Sequence, residues 1–275
     1  MFGLIPATLL SGYAPYAAFD AFGGTSIGSA IAAYYAAGKD PLKLPSLMLD
    51  AFPDIFTAPW YRYCWCRSSK YPSDGLVKFL NQIFGDMTLG KIQKPLYIVS
   101  FDFSQHRIKV FSSVGNQDEN VRIADAVLKS VSAPTYFPPD VPHVDGGLCA
   151  NNPSVVTAAG VAKNYSLEMD ELSVMSIGTG FYTNTTVDMS GAASWGSAEW
   201  GLRIIPAMLD ASVSTFEFLA SQLPFKAYCR WNKVPLENDW TMDQTDILQA
   251  LISTVGLYQE DFDKAFDAFI KESQK

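Results

Sequence analysis

Histidine is almost missing from this chain of 275 residues. Only His106 and His143 occur, so no histidine set at zinc-binding spacing can be drawn, and the cysteines, Cys64, Cys66, Cys149 and Cys229, form no C-x-x-C pair to replace one. Reduced thiols and no structural metal are expected, and with no acidic run of the D-x-D-x-D type, no calcium site either. Positive charge is scarce too. The 20 Lys and Arg stand against 28 Asp and Glu, a net charge of −8, and the basic residues form no block. That excludes the electrostatic footprint of a nucleic-acid binder. An unbroken apolar segment at the start is also lacking. The first 19 residues carry no charge, but Gly3, Pro6, Gly12 and Pro15 interrupt them and no basic stretch precedes them. They read as buried core, not as a secretory or membrane-spanning segment, and the expected location is the cytoplasm or the membrane periphery. Without a leader, the sequons Asn164-Tyr165-Ser166 and Asn184-Thr185-Thr186 read as chance matches.

What is present is the composition of an ordinary globular protein, 48% apolar and 17% charged, in a chain long enough to bury a core without staples. No repeat, low-complexity tract or linker divides it, so residues 1–275 are expected to form a single domain. Phe19-Asp20-Ala21-Phe22 is a short apolar run leading into Gly23-Gly24-Thr25-Ser26, after which Ile27 to Ala37 is rich in Ala and stops at Gly38. That is strand, tight turn and helix. Pro41 to Tyr71, rich in proline and aromatics, reads as irregular or short-helical and near the mouth of a pocket. Leu76 to Phe84 and Ile123 to Val131 have helical spacing, and Pro153 suits the first turn of a helix to Lys163. Leu96 to Phe101 and Leu172 to Ile177 read as buried strands, and Arg107 to Phe111 as the half-exposed strand of a hairpin. Strands alternating with helices predict an α/β fold, a mainly parallel sheet covered by helices on both faces. Asp246 to Ile270 sets Phe262, Ala265, Phe266 and Phe269 on one stripe, and its acidic polar face favours packing on the domain over membrane binding.

Gly24-Thr25-Ser26-Ile27-Gly28 is a G-x-S-x-G pentapeptide between the predicted strand and helix, where small residues let the chain turn sharply and present a serine hydroxyl. Its bland reading is a Gly/Ser turn. A serine needs a base, and the usual order is Ser, then acid, then His, yet no histidine follows His143 in the rest of the chain. His106, beside Arg107, reads as an exposed or capping histidine, while an Asp145-His143 pair stays open. The more economical base is Asp145 in His143-Val144-Asp145-Gly146-Gly147, although an acid before two glycines also describes a plain turn. A carboxylate with an ordinary pKa near 3.9 is a poor base, so an active Asp145 requires burial.

With these residues in hand the chain resembles the patatin-like phospholipase family, lipid acyl hydrolases with a Ser-Asp dyad. Gly3-Leu4-Ile5-Pro6-Ala7 resembles the start of the family's first helix, and Phe19 to Gly28 its nucleophile strand and turn. Ser132-Ala133-Pro134-Thr135-Tyr136-Phe137-Pro138 resembles the segment before the aspartate, Val144-Asp145-Gly146-Gly147 with Asn151-Asn152-Pro153 the aspartate motif, and Ser176-Ile177-Gly178-Thr179-Gly180 the strand and turn that follow. The motifs run in family order over residues 3–180, with weaker similarity into a helical part at 196–275. The resemblance implies a three-layer α/β/α fold and cofactor-free hydrolysis of fatty acyl esters. It implies Ser26 as nucleophile, Asp145 as base, Gly24, Ile27 and Gly28 at the nucleophile turn and oxyanion side, and Gly146 and Gly147 in the aspartate motif. Its partners would be a lipid or acyl ester and, transiently, a membrane or micelle surface. An acyl pocket needs apolar walls, for which Phe52 to Trp65 and Trp195 to Leu209 are candidates, with plain core packing as the bland reading of each. Transfer of the acyl group to an alcohol, or lipid binding without chemistry, would use the same motifs.

One departure stands out. The family's Gly-rich oxyanion loop, Asp-Gly-Gly-Gly-x-Arg-Gly, follows its first strand, and Met1-Phe2-Gly3 aligns with only its last three positions. The expectation is that Met1 is an internal methionine taken for a start, with the strand and glycines encoded upstream. The competing expectation is an impaired enzyme, or one whose oxyanion hole a partner completes, since removing one oxyanion donor costs about 10² to 10³ in rate.

Overall fold

A computed structural model of the chain describes residues 1–58, 68–182, 189–238 and 240–275. In chain order the elements are α1 (Leu4–Leu10), α2 (Pro15–Ala18), β1 (Phe22–Thr25), α3 (Ile27–Ala36), α4 (Leu44–Ile55), α5 (Asp74–Phe84), β2 (Leu96–Asp102), β3 (Arg107–Ser112), α6 (Ile123–Val131) and β4 (His143–Asp145). There follow α7 (Gly147–Ala150), α8 (Ser154–Tyr165), β5 (Ser173–Ile177), β6 (Phe181–Tyr182), α9 (Ser197–Gln222), β7 (Ala227–Trp231), β8 (Pro235–Leu236), α10 (Leu248–Leu257) and α11 (Gln259–Ser273). The fold is α/β, and the predicted helices with a clear apolar stripe lie within two residues of expectation. Three readings shift. The first strand is Phe22–Thr25, later than the Phe19–Phe22 run, and the glycines belong to it. Pro41 to Tyr71 contains a 12-residue helix, α4, because Leu44, Met48, Phe52 and Ile55 recur on one face and are all buried; Pro53 sits in its last turn and masks the period. The C-terminal stripe is two helices, α10 and α11, that meet at Tyr258.

The central sheet is organised by β2. β1 runs parallel to it, Phe22 opposite Leu96 through Thr25 opposite Val99, and β3 runs antiparallel along its other edge over Tyr97 to Asp102. Because β3 takes that edge, β4, which pairs antiparallel with Ser100 to Asp102, must share the edge of β1. Thus β1 and β4 abut end to end. Parallel pairing holds for β1–β2, β5–β7 and β6–β8 among the described residues, and both antiparallel pairs belong to β2.

The layers follow from glycine. Successive strand residues point to opposite faces. A side chain at Gly23 would lie 1.8 Å from Thr157 Oγ1 in α8, whereas one at Gly24 would lie 2.2 Å from the Gly28 carbonyl in α3. So α8 covers one face and α3 the other. On the α8 side Gly160 leaves room for the Tyr97 ring, whose hydroxyl accepts a hydrogen bond from Asn164 Nδ2 at 2.9 Å. On the α3 side Ser100 Oγ donates to the Lys129 carbonyl of α6. The N-terminal apolar stretch is core, with Leu4, Ile5, Ala7 and Leu9 buried beside Phe52 and Met48.

Candidate active site

Ser26 links β1 to α3 with φ 52° and ψ −135°, a backbone region that a side chain disfavours and that costs about 1–3 kcal/mol. Three hydrogen bonds hold it there. The Ser26 N–H donates to Ser130 Oγ at 2.9 Å, and the Ser29 N–H and Oγ both donate to the Ser26 carbonyl, at 2.8 and 2.6 Å. Gly24 makes the turn possible, since a Cβ there would overlap the backbone of Gly28. Gly28 itself has nothing within 4 Å of an added Cβ, so packing does not demand glycine at that position.

The abutting strands bring Asp145 to Ser26 across 119 residues of sequence. Thr25 pairs with Val99 and Asp145 with the next residue of β2, Ser100, so the two side chains meet at one point on the sheet edge. Ser26 Oγ donates to Asp145 Oδ2 at 2.6 Å. The other oxygen, Oδ1, accepts the Gly147 N–H at 2.7 Å. Gly146 is required for the approach, because a Cβ there would lie 2.3 Å from the Val99 carbonyl; at Gly147 one would press on Leu209, Asn151 and Asp145 itself. Burial pushes the Asp145 carboxyl up to about 6, against the opposing pull of the hydrogen bonds from Ser26 and Gly147.

Ser130 is the residue that the sequence did not single out. Its hydroxyl takes the Ser26 N–H and donates to the Val99 carbonyl at 2.5 Å, and its own carbonyl accepts the Gly146 N–H at 3.3 Å. One α6 residue therefore ties both halves of the site to β2. No local motif marks it. The neighbouring Ser132 carbonyl accepts the Asp145 N–H at 3.0 Å, which gives the Ser132-to-Pro138 segment a positioning role.

Neither histidine joins the pair. His143 stacks on Phe111 with ring centroids 5.4 Å apart, while the hydrogen bonds of Asp145 go to Ser26 and Gly147. Burial, then Lys129, holds the His143 imidazole below its usual range. His106 is exposed, with an edge contact to Phe103. Cys149 and Cys229 are free thiols, Cys64 and Cys66 lie outside the described residues, and no cluster of three or more potential metal ligands occurs among the described residues.

Chemically, the arrangement is a strained, carboxylate-bonded serine at the head of a ten-residue helix. Ile27 and Gly28 open α3, and the N–H groups of a helix's first turn lack partners one turn back, so they and the helix dipole favour negative charge beside Ser26. Gly3 packs on Ile27, where a Cβ would lie 2.6 Å from Ile27 Cγ1. The N-terminal residues thus border the turn at Ser26.

Ser26 and Asp145 open into a cavity of about 2400 Å³ that runs between β1 and β5. Ile31, Tyr35, Phe52 and Phe56 wall it from one side and Ile205 and Leu209 of α9 from another. Of the two aromatic stretches expected to line a pocket, the first contributes Phe52 and Phe56, and its residues 59–67 lie outside the described residues. The second contributes Ile205 and Leu209, whereas Trp195 and Trp200 are absent from the lining.

Residues 2–156 match the family model described as patatin-like phospholipase. Among curated proteins, a cGAMP-activated phospholipase of Escherichia coli (strain TW11681) is 29% identical over 179 residues, covering 58% of this chain and 50% of its own length. A second protein of that description, from Vibrio cholerae, is 28% identical over equal shares. Patatin-like protein 3 of Arabidopsis thaliana is 27% identical over 232 residues, 66% of this chain and 54% of its own. The chain spans about half the length of these relatives.

Proposed function

The chain belongs to the patatin-like phospholipase family, and from that premise we propose that it hydrolyses fatty acyl esters of lipids through Ser26 and Asp145. The observation that carries this reading is the 2.6 Å hydrogen bond from a serine held at positive φ to a buried carboxylate whose proton affinity is raised to about 6. An ordinary carboxylate is too weak a base for a hydroxyl, and burial narrows that mismatch.

In the proposed reaction Asp145 Oδ2 takes the proton of Ser26 as Oγ bonds to the ester carbonyl carbon. Negative charge forms on the carbonyl oxygen near the Ile27 and Gly28 N–H groups. The tetrahedral intermediate collapses, the ester C–O bond breaks, and the leaving alkoxide takes the proton back from Asp145, leaving an acyl-serine. Asp145 then draws a proton from water as the hydroxyl attacks the acyl carbon, and returns it to Ser26 Oγ when the fatty acid departs. The apolar walls at Ile31, Phe52, Phe56 and Leu209 suit an acyl chain. An alcohol in place of water would turn the same acyl-enzyme to transfer.

The test is intact-mass labelling with a fluorophosphonate. The expected result is one adduct on the chain, none on Ser26→Ala, and labelling slowed by about 10²-fold or more in Asp145→Asn. No adduct on the folded chain, nor on one extended upstream through the glycine loop, would overturn the hydrolase reading in favour of lipid binding without covalent chemistry.

A further inference from the structure

Helix α9 carries two apolar faces. Its inner face is cavity wall, with Ile205, Leu209 and Val213 lining the space that Ser26 opens into. Its outer face presents Trp200, Ile204, Met208, Phe218 and Leu219, which fall within about 100° of one another at 3.6 residues per turn. All five are exposed, from 42% at Leu219 to 64% at Phe218. Glu199, Arg203, Asp210 and Glu217 make a narrow charged flank between the two faces, and Asp210 and Glu217 also border the cavity. Between Met208 and Phe218 the same face carries Ala211 and Thr215, so the large apolar side chains stand in two groups, and few soluble surfaces leave such groups in water without a use.

We propose that the outer face of α9 docks on a lipid surface, with the helix lying in the plane of the interface. The proposal rests on the acyl-hydrolase reading for its purpose, though not for its test. Residues Glu199–Gln222 are long and apolar enough to cross a membrane, and only 6% of that window is buried in the protein. Crossing is excluded by the other side of the helix. Its inner face is committed to the cavity and its flank would carry four charges into hydrocarbon. An amphipathic helix lying flat satisfies both faces.

Three features select lipid over a protein partner. The large exposed residues of the stripe carry no charge or amide group that would specify a matching protein surface. At the N-terminal end, Trp200 stands edge-on to Trp195 at 5.2 Å, and the Arg203 guanidinium lies 4.4 Å from the Trp195 ring, a grouping of aromatic and cation that suits the headgroup layer. Finally, the stripe and the cavity-facing residues occupy neighbouring sectors of one helix, their centres about 130° apart at 3.6 residues per turn. An acyl chain moving from a lipid layer to Ser26 would then bypass water. The cavity wall also contains the exposed Phe103, Val141 and Phe181, which extend the apolar character to its surface. With a net charge of −8 the chain gains nothing from anionic lipid, so the surface expected is zwitterionic.

The experiment is flotation with vesicles of pure phosphatidylcholine, using Ser26→Ala chain so that binding is read without turnover. A second chain adds Trp200→Ser, Ile204→Asp and Phe218→Asp, all at exposed positions outside the cavity lining. The expected result is flotation of the first chain and a loss of about tenfold or more in the second. With Ser26 restored, the three substitutions should slow hydrolysis of vesicle lipid while leaving a short, monomeric ester unaffected. Equal flotation of both chains, or of neither, would overturn the docking surface. So would a change from dimer to monomer by light scattering with no effect on flotation, which would assign the stripe to a second copy. A chain inert to ester and fluorophosphonate that still floats through α9 would overturn the hydrolase reading alone.

Discussion

Asp145 is charged at neutral pH at a cost to the fold. Its carboxyl, raised by burial from 3.8 to about 6, makes the folded state bind a proton more tightly than the unfolded chain does. The stability this contributes is complete below about pH 3.8 and is lost as pH rises through about 6, a loss of about 3 kcal/mol. Asp145→Asn removes the titration while its amide oxygen still accepts from Gly147 and its Nδ2 donates to Ser26. That variant should gain about 1–3 kcal/mol over the parent above pH 7 and show no such gain near pH 4, as read by urea unfolding at the two pH values. As the proposed base, the same carboxyl would also set the kinetics. Labelling of Ser26 should rise about tenfold per pH unit up to about pH 6 and level off above it; a profile flat between pH 4.5 and 7 would remove Asp145 as the base. At this scale Gly24, Ser26, Asp145, Gly146 and Gly147 were legible because each stands in a local pattern. Ser130 was not, since its role arises only where α6 crosses the end of β2.

Among the elements, those with one buried stripe were the readable ones. In α5 the buried Leu76, Phe79, Leu80 and Ile83 repeat at helical spacing, and in α6 Ile123, Ala126 and Val127 do the same. Helix α4 hid behind Pro53, and α9 was expected only as part of a helical region at 196–275, because apolar residues on two sides blur its period. The glycines of β1 were legible as a turn but act as strand, where they let two helices lie close on opposite faces. Gly23→Ala would drive a methyl into Thr157 Oγ1 and should cost about 1–3 kcal/mol. Thr157→Ala in the same chain should recover part of that loss, a coupling that a double-mutant cycle by urea unfolding measures directly.

At the scale of the molecule the two ends of the sequence are packed together. Tyr13 donates to Asp263 Oδ1 at 2.6 Å, and Trp231 Nε1 of β7 donates to Asp261 Oδ2 at 3.1 Å, both in α11. Phe262 fills the space between Tyr13 and Trp231, with ring centroids 5.8 and 5.1 Å away, and is fully buried. Phe262→Ala should therefore cost about 3–5 kcal/mol in urea unfolding although it lies outside the cavity lining. This closure was only half legible. The amphipathic stripe of α11 announced a packed helix, but nothing local in a stripe names the surface that receives it.

The end-to-end placement of β1 and β4 along β2 has a consequence for how such a protein diversifies. Ser26 and Asp145, the proposed nucleophile and base, are spaced by one residue step of a single strand, whereas the walls of the cavity come from α3, α4, α9 and the loops around them. The proposed chemistry would then be calibrated by backbone register, and its selectivity by side chains mounted elsewhere. Substitutions in the walls can thus accumulate in small steps without moving Ser26 relative to Asp145.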